Sequence, residues 1–200
     1  MKPTRAVKGA LLFPGAGTNC EHSSLVRLDE SLQPLPVRRA DFAYRKAGRR
    51  APDRAPVLLD AVRTEATDFA ASLQVSTSKL VLGGRSMGGR MCSTAVAGGT
   101  PGDTSGVALP VAGLILICYP LHPPGKPESL RTEHLVRLAV PCLFISGTRD
   151  AFGAPEELQQ WTATIPGPVT HVWADGKGHD LRGADTLIAD AVGAWLVTLT

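Results

Sequence analysis

The sequence predicts an α/β fold, a mostly parallel six-stranded sheet flanked by helices on both faces. Two observations carry that expectation. Apolar runs of strand length recur along the chain with few polar interruptions, as strands covered on both faces require. Between them lie segments whose apolar residues recur at intervals of three and four, and strands alternating with helices imply parallel pairing. The 200 residues are read as one domain, 1–200, long enough to bury a core.

The elements follow in order. "ALLFPG" (10–15) is a buried strand stopped by Pro-Gly, and "NCEHSSLVRLDESL" (19–32) is a noisier helix. "PVRRADFAY" (36–44) is a more polar strand, placed nearer an edge. After Pro56, the spacing of Leu58, Leu59, Val62, Ala66 and Phe69 predicts a helix. "KLVLGG" (79–84) is a third strand, and "GGRMCSTAVA" reads as the helix that follows it. "AGLILICYP" (112–120) and "PCLFISG" (141–147) are continuous apolar strands. "PEELQQWTATI" (155–165) opens with Pro and two Glu, a good helix start. "THVWAD" (170–175) is the last strand, and Leu187, Ile188, Ala191, Val192, Trp195 and Leu196 form the stripe of a final helix.

Composition narrows the function classes. A net charge of +3 is too small to argue for nucleic acid or a membrane surface. The basic run "RRADFAYRKAGRRAPDR" (38–54) reads as a solvated loop before it reads as a contact surface for an acidic partner. The N-terminal apolar run is too short for a signal peptide, and no stretch reaches the length of a membrane span. Cys118 and Cys142 sit in apolar runs where Cys packs as a small hydrophobe, and no Cys/His spacing suits zinc. The expectation is a cytoplasmic protein, a monomer or small homo-oligomer, with a small-molecule substrate and neither metal nor organic cofactor.

In a parallel sheet, ligands bind beyond the carboxyl ends of the strands. The loops to inspect are "PGAGTN", "GRSMGG", "YPLHPP", "GTRDAF" and "DGKGHD". Gly84-Arg85-Ser86-Met87-Gly88 fits G-x-S-x-G, a sharp strand-to-helix turn that holds a nucleophilic serine. The glycines remove Cβ atoms that so tight a turn would force together. A serine nucleophile needs a base, and the base an orienting acid. Asp150 closes "FISGTRD" past a buried strand, and His179 lies in "DGKGHDL" between the last strand and the final helix. The rivals are weaker by position. His171 begins a strand and belongs at the far end of the sheet, while His22 and His134 fall in helical stretches and are expected to be exposed. Asp175 and Asp180 lie too close to His179 in the chain to be its partner.

The oxyanion of an acyl transfer needs two donors. The Met87 N–H is one by position, and the second should come from "PGAGTN", at Ala16 or Gly17. A dinucleotide-loop reading of "GAGTNC" is poor, because Cys20 stands where the third Gly belongs. Leu121, His122, Phe152 and Leu181 are candidate pocket neighbours, mostly apolar and suited to a short or medium acyl group. Arg85 has two readings, a partner for an anionic substrate or, favoured here, a surface salt bridge.

The stretches "LLFPGAG", "LGGRSMGGR", "YPLHPPGKPESLRTEHL", "LFISGTRDAFG" and "GKGHDL" resemble the α/β-hydrolase superfamily, most closely its small, lidless, dienelactone-hydrolase-like group. The resemblance covers nearly the whole chain. It implies a minimal α/β-hydrolase fold with no cap domain, with Ser86 as nucleophile, Asp150 as acid, His179 as base, and Met87 and Ala16 as oxyanion donors. There are departures. Pro14 stands where the group more often has His, and the nucleophile is Ser where dienelactone hydrolases proper use Cys, so their substrate does not transfer. The implied activity is that of a carboxylesterase-like serine hydrolase on a small ester or thioester. The alternatives are an amidase or peptidase with the same triad, or a non-catalytic scaffold that binds a ligand or partner.

Overall fold

Six strands pair in parallel throughout, and across the sheet their order by position in the chain is second, first, third, fourth, fifth, sixth. They are β1 (Gly9–Phe13), β2 (Val37–Arg39), β3 (Leu80–Arg85), β4 (Gly113–Ile117), β5 (Cys142–Gly147) and β6 (Val169–Ala174) in a computed structural model that describes residues 7–99 and 106–199. The helices are α1 (Ser23–Ser31), α2 (Ala43–Lys46), α3 (Ala55–Ser72), α4 (Met87–Val96), α5 (Pro155–Thr162) and α6 (Asp185–Val197). No helix among the described residues is long and apolar enough to cross a membrane.

Alternation along each strand divides the core in two. Leu11, Phe13, Leu82, Leu116 and Phe144 point to the side covered by α3 and α4, where Leu58, Leu59, Val62 and Met91 meet them. Ala10, Leu12, Val81, Ile115, Ile117 and Ile145 point to the other side, against Leu25 and Leu28 of α1 and Ile188, Val192 and Trp195 of α6. Both faces are therefore covered, which is why these strands read as unbroken apolar runs. Pro155 opens α5, and Glu157 Oε2 accepts the Ala154 N–H at 2.9 Å, tying down the helix start.

The second strand is shorter than its sequence promised. Leu12 pairs with Arg39, and the Ala40 N–H donates to Leu12 O at 3.0 Å. Beyond Phe13 comes Pro14, which has no N–H to extend the ladder. The chain then turns through α2 and buries Phe42 and Tyr44, with Phe42 stacked on Phe13 at 4.9 Å between ring centroids.

The chain steps from β1 to β2 on one side and then crosses to β3 on the other. That reversal opens a crevice at the carboxyl ends of β1 and β3, the usual ligand position in open parallel sheets. Phe13 is level with Gly84, so the loop after β1 runs beside the Arg85–Ser86 turn.

Candidate active site

Ser86 occupies the turn between β3 and α4 with φ 46° and ψ −115°, a backbone conformation that non-glycine residues rarely adopt. Such strain persists only where the surroundings fix it, and here glycines let the surroundings close in. A Cβ on Gly84 would overlap the Phe13 carbonyl, and Gly84 itself has φ +147°. A Cβ on Gly88 would lie 2.5 Å from Phe13 O and 2.6 Å from Pro14 O. The first turn of α4 thus presses directly onto the backbone of the loop that follows β1.

Three side chains from three loops meet at this turn. Ser86 Oγ lies 2.9 Å from His179 Nε2, and His179 Nδ1 lies 2.9 Å and 3.0 Å from the two Asp150 carboxylate oxygens. The carboxylate only accepts, so the imidazole proton sits on Nδ1 and leaves Nε2 to accept from the Ser86 hydroxyl. Asp150 is buried, and its Oδ1 also accepts the Phe152 N–H at 2.8 Å. The Phe152 ring stacks on the His179 imidazole with 3.9 Å between centroids, limiting its rotation. This arrangement can draw a proton off the serine and hand it to a departing group.

The site opens into a cavity of about 660 Å³, a size suited to a small molecule. Ala16 and Gly17 line it together with Ser86 and Met87. Tyr44 Oη donates to Ala16 O at 2.9 Å, which fixes the plane of the peptide that carries the Gly17 N–H. The Met87 N–H stands at the first position of α4, where no intrahelical acceptor is available.

Several residues fall elsewhere than the sequence placed them. Of the four candidate pocket neighbours only Phe152 lines the cavity. Leu121 is fully buried against Gly153, Leu181 packs in the core under α6, and His122 is held by Pro123 O at 2.9 Å and Glu157 Oε2 at 3.5 Å. His134 is buried, with burial and the neighbouring Arg90 and Arg137 pushing its pKa down to about 3. His171 lies inside β6 and contacts Thr162 Oγ1 at 2.9 Å. His22 precedes α1 at the cavity wall, where burial and Arg85 lower its pKa.

Arg85 makes no surface salt bridge among the described residues. It is 5% exposed, and its guanidinium donates to Asp180 O at 2.7 Å and Ser24 Oγ at 3.3 Å. The strand that presents Ser86 is thereby fastened to the loop that carries His179. Arg90 and Arg131, which sequence reasoning did not single out, also line the cavity. Arg90 was legible in principle, since it follows Ser86 by four residues on a helix and so shares its face.

An all-parallel sheet with helices on both faces and a strained serine at the β3–α4 turn are features of an α/β hydrolase. The chain belongs to the family described as the alpha/beta hydrolase domain, whose model matches residues 7–187. Est1E from Butyrivibrio proteoclasticus is similar in structure, with a TM-score of 0.72 at 16% identity over 99% of this chain and 90% of that one. Est2, a thermophilic esterase from the Planctomycetes species Thermogutta terrifontis, is similar in its propionate-bound form, with a TM-score of 0.66 at 17% identity over 100% and 86%. An alpha-beta serine hydrolase homologue from Coxiella burnetii has a TM-score of 0.64 at 18% identity over 92% and 85%. At these identities the likeness is one of fold.

Proposed function

We propose that this chain is a serine hydrolase that cleaves a small ester or thioester through an acyl-enzyme. The observation that carries the reading is the unbroken path from Ser86 Oγ through His179 to the buried Asp150 carboxylate, opening on a cavity of small-molecule size. The description of the structural neighbour Est2 as a thermophilic esterase is consistent with it.

In this reading His179 Nε2 takes the Ser86 proton as Oγ attacks the substrate carbonyl. The developing oxyanion accepts from the Met87 N–H and from an N–H of Ala16 or Gly17, assisted by the positive end of α4. As the tetrahedral intermediate collapses, the carbonyl–oxygen or carbonyl–sulfur bond breaks, and the imidazolium gives its proton to the leaving group. Water then attacks the acyl-serine with His179 as base, and the proton returns to Ser86 when the acid departs. Asp150 holds the tautomer and stabilises the imidazolium.

The test is labelling with a fluorophosphonate probe, followed by a chain-length series of 4-nitrophenyl esters. The wild type should be labelled and Ser86→Ala should not. A wild type that neither reacts nor hydrolyses any ester would replace this reading with that of a binding scaffold.

A further inference from the structure

Behind the cavity lies a buried polar network with an unusual purpose. Ser93 Oγ donates to Arg90 O at 2.9 Å, and Tyr119 Oη donates to Arg131 O at 2.8 Å. Each hydroxyl has one proton, so His134 Nε2 is the donor in its contacts with Ser93 Oγ at 2.8 Å and Tyr119 Oη at 3.4 Å. The backbones of Arg90 and Arg131, distant in sequence, are pinned to one imidazole. Both residues line the cavity that contains Ser86.

Among the described residues, neither guanidinium group has a carboxylate within ion-pair distance, and Arg90 Nε is buried without a partner. Burial, and to a smaller degree the nearby Arg131 charge, make Arg90 less basic than usual. The cavity does have carboxylates, but Asp53 is held by Arg49 through both oxygens at 2.7 and 3.1 Å. Asp180 accepts the Arg182 N–H at 3.2 Å, and neither carboxylate forms an ion pair with Arg90 or Arg131. Two neighbouring cations held partly out of water, on a braced backbone, are unfavourable unless an anion joins them.

We infer that Arg90 and Arg131 form an anion subsite, and that the ester this protein hydrolyses bears a carboxylate close to its scissile bond. The inference rests on the hydrolase reading for the word ester, but not for the subsite itself. The Arg90 N–H donates to Ser86 O at 3.0 Å, so the Arg90 backbone lies one helical turn, about 5 Å, from the nucleophile. An arginine fork binds a carboxylate through two parallel N–H···O bonds, which selects an acid over its neutral analogue.

Two matched substrate pairs test this. Mono(4-nitrophenyl) adipate against 4-nitrophenyl hexanoate puts the charge on the acyl side; 4-acetoxybenzoate against its methyl ester puts it on the leaving side. In at least one pair the acid should have a kcat/KM tenfold or more above its neutral partner. That ratio should fall toward one in Arg90→Gln and Arg131→Gln, recover in part in Arg90→Lys, and shrink with added salt. Ratios near one in both pairs, or ratios untouched by both glutamine variants, overturn the subsite. Calorimetry separates this from the chemistry: Ser86→Ala should bind monomethyl adipate more tightly than methyl hexanoate, and the added Arg90→Gln change should abolish the difference. Acid-selective binding without turnover of any ester would overturn the hydrolase reading and keep the subsite. Equal binding of both compounds, with both substrate ratios near one, would overturn the subsite whether or not esters are cleaved.

Discussion

His134 should make the fold sensitive to mild acid, and the size of the effect follows from its surroundings. The imidazole is 6% exposed, and burial together with Arg90 and Arg137 pushes its pKa from an ordinary 6.5 to about 3. In the unfolded chain it takes up a proton near its ordinary value, while in the folded chain it refuses one. Its contribution to stability is therefore complete above pH 6.5 and is lost as pH falls, until the folded protein also protonates near 3. At pH 5 the loss from this group alone is about 2 kcal/mol, from roughly 1.5 pH units at about 1.36 kcal/mol each. His22 and His171, also lowered by burial, add in the same direction. Comparing wild type with His134→Gln removes their share, since both proteins keep them, and glutamine retains a donor for Ser93. Urea unfolding at pH 8, 6.5 and 5 should show wild type losing about 2 kcal/mol more than the variant between the extremes. Parallel pH profiles would refute the assignment of His134 as a buried neutral group.

Gly88→Ala should cost about 2 kcal/mol and most of the proposed ester-hydrolysing activity together. Its Cβ would meet backbone rather than a flexible side chain, and relief requires shifting Phe13 and Pro14, hence the loop bearing Ala16; normal activity with normal stability, by denaturation and ester assay, would contradict this. Ser86→Gly should be more stable than Ser86→Ala by about 1 kcal/mol, because glycine relieves the strained backbone while both changes remove the same hydroxyl. Urea midpoints read the difference. Arg90→Met should raise the melting temperature while lowering the proposed preference for acidic esters, since an apolar side chain removes a partly buried charge whose Nε lacks a partner. A lower melting temperature in scanning calorimetry would point to a stabilising role for that guanidinium.

The parts of this molecule that were legible in the sequence are those set by local pattern. β3, β4 and β5 are apolar on both faces because both faces are covered, and their runs end within a residue or two of the paired strands at one end or the other. Positions just past strand ends also brought Ser86, Asp150 and His179 under suspicion before any geometry was available, and the loops do bring those side chains within hydrogen-bond reach. What sequence could not supply was long-range. β2 stops early because its neighbour meets Pro14, a residue in another strand's loop. Arg85 is buried because Asp180 O and Ser24 Oγ receive it, and His134 because Ser93 and Tyr119 do. A polar residue's burial depends on partners that no local window contains. Leu121, His122 and Leu181 miss the cavity for a related reason: the loops carrying them fold inward onto the core.

The strand order has a consequence for how the protein is made. β1 lies inside the sheet between β2 and β3, so it is enclosed by strands that follow it in the chain; β6 is an edge, added to a surface already formed by β5. Synthesis from the amino end thus delivers the loop after β1, Ser86 and Asp150 before His179, the base of the proposed mechanism. His179 comes after that edge strand and is followed by the helix that seals its side of the core. In the proposed mechanism, a chain that has emerged only as far as β6 can display Ser86 but lacks the imidazole of His179 that would activate it.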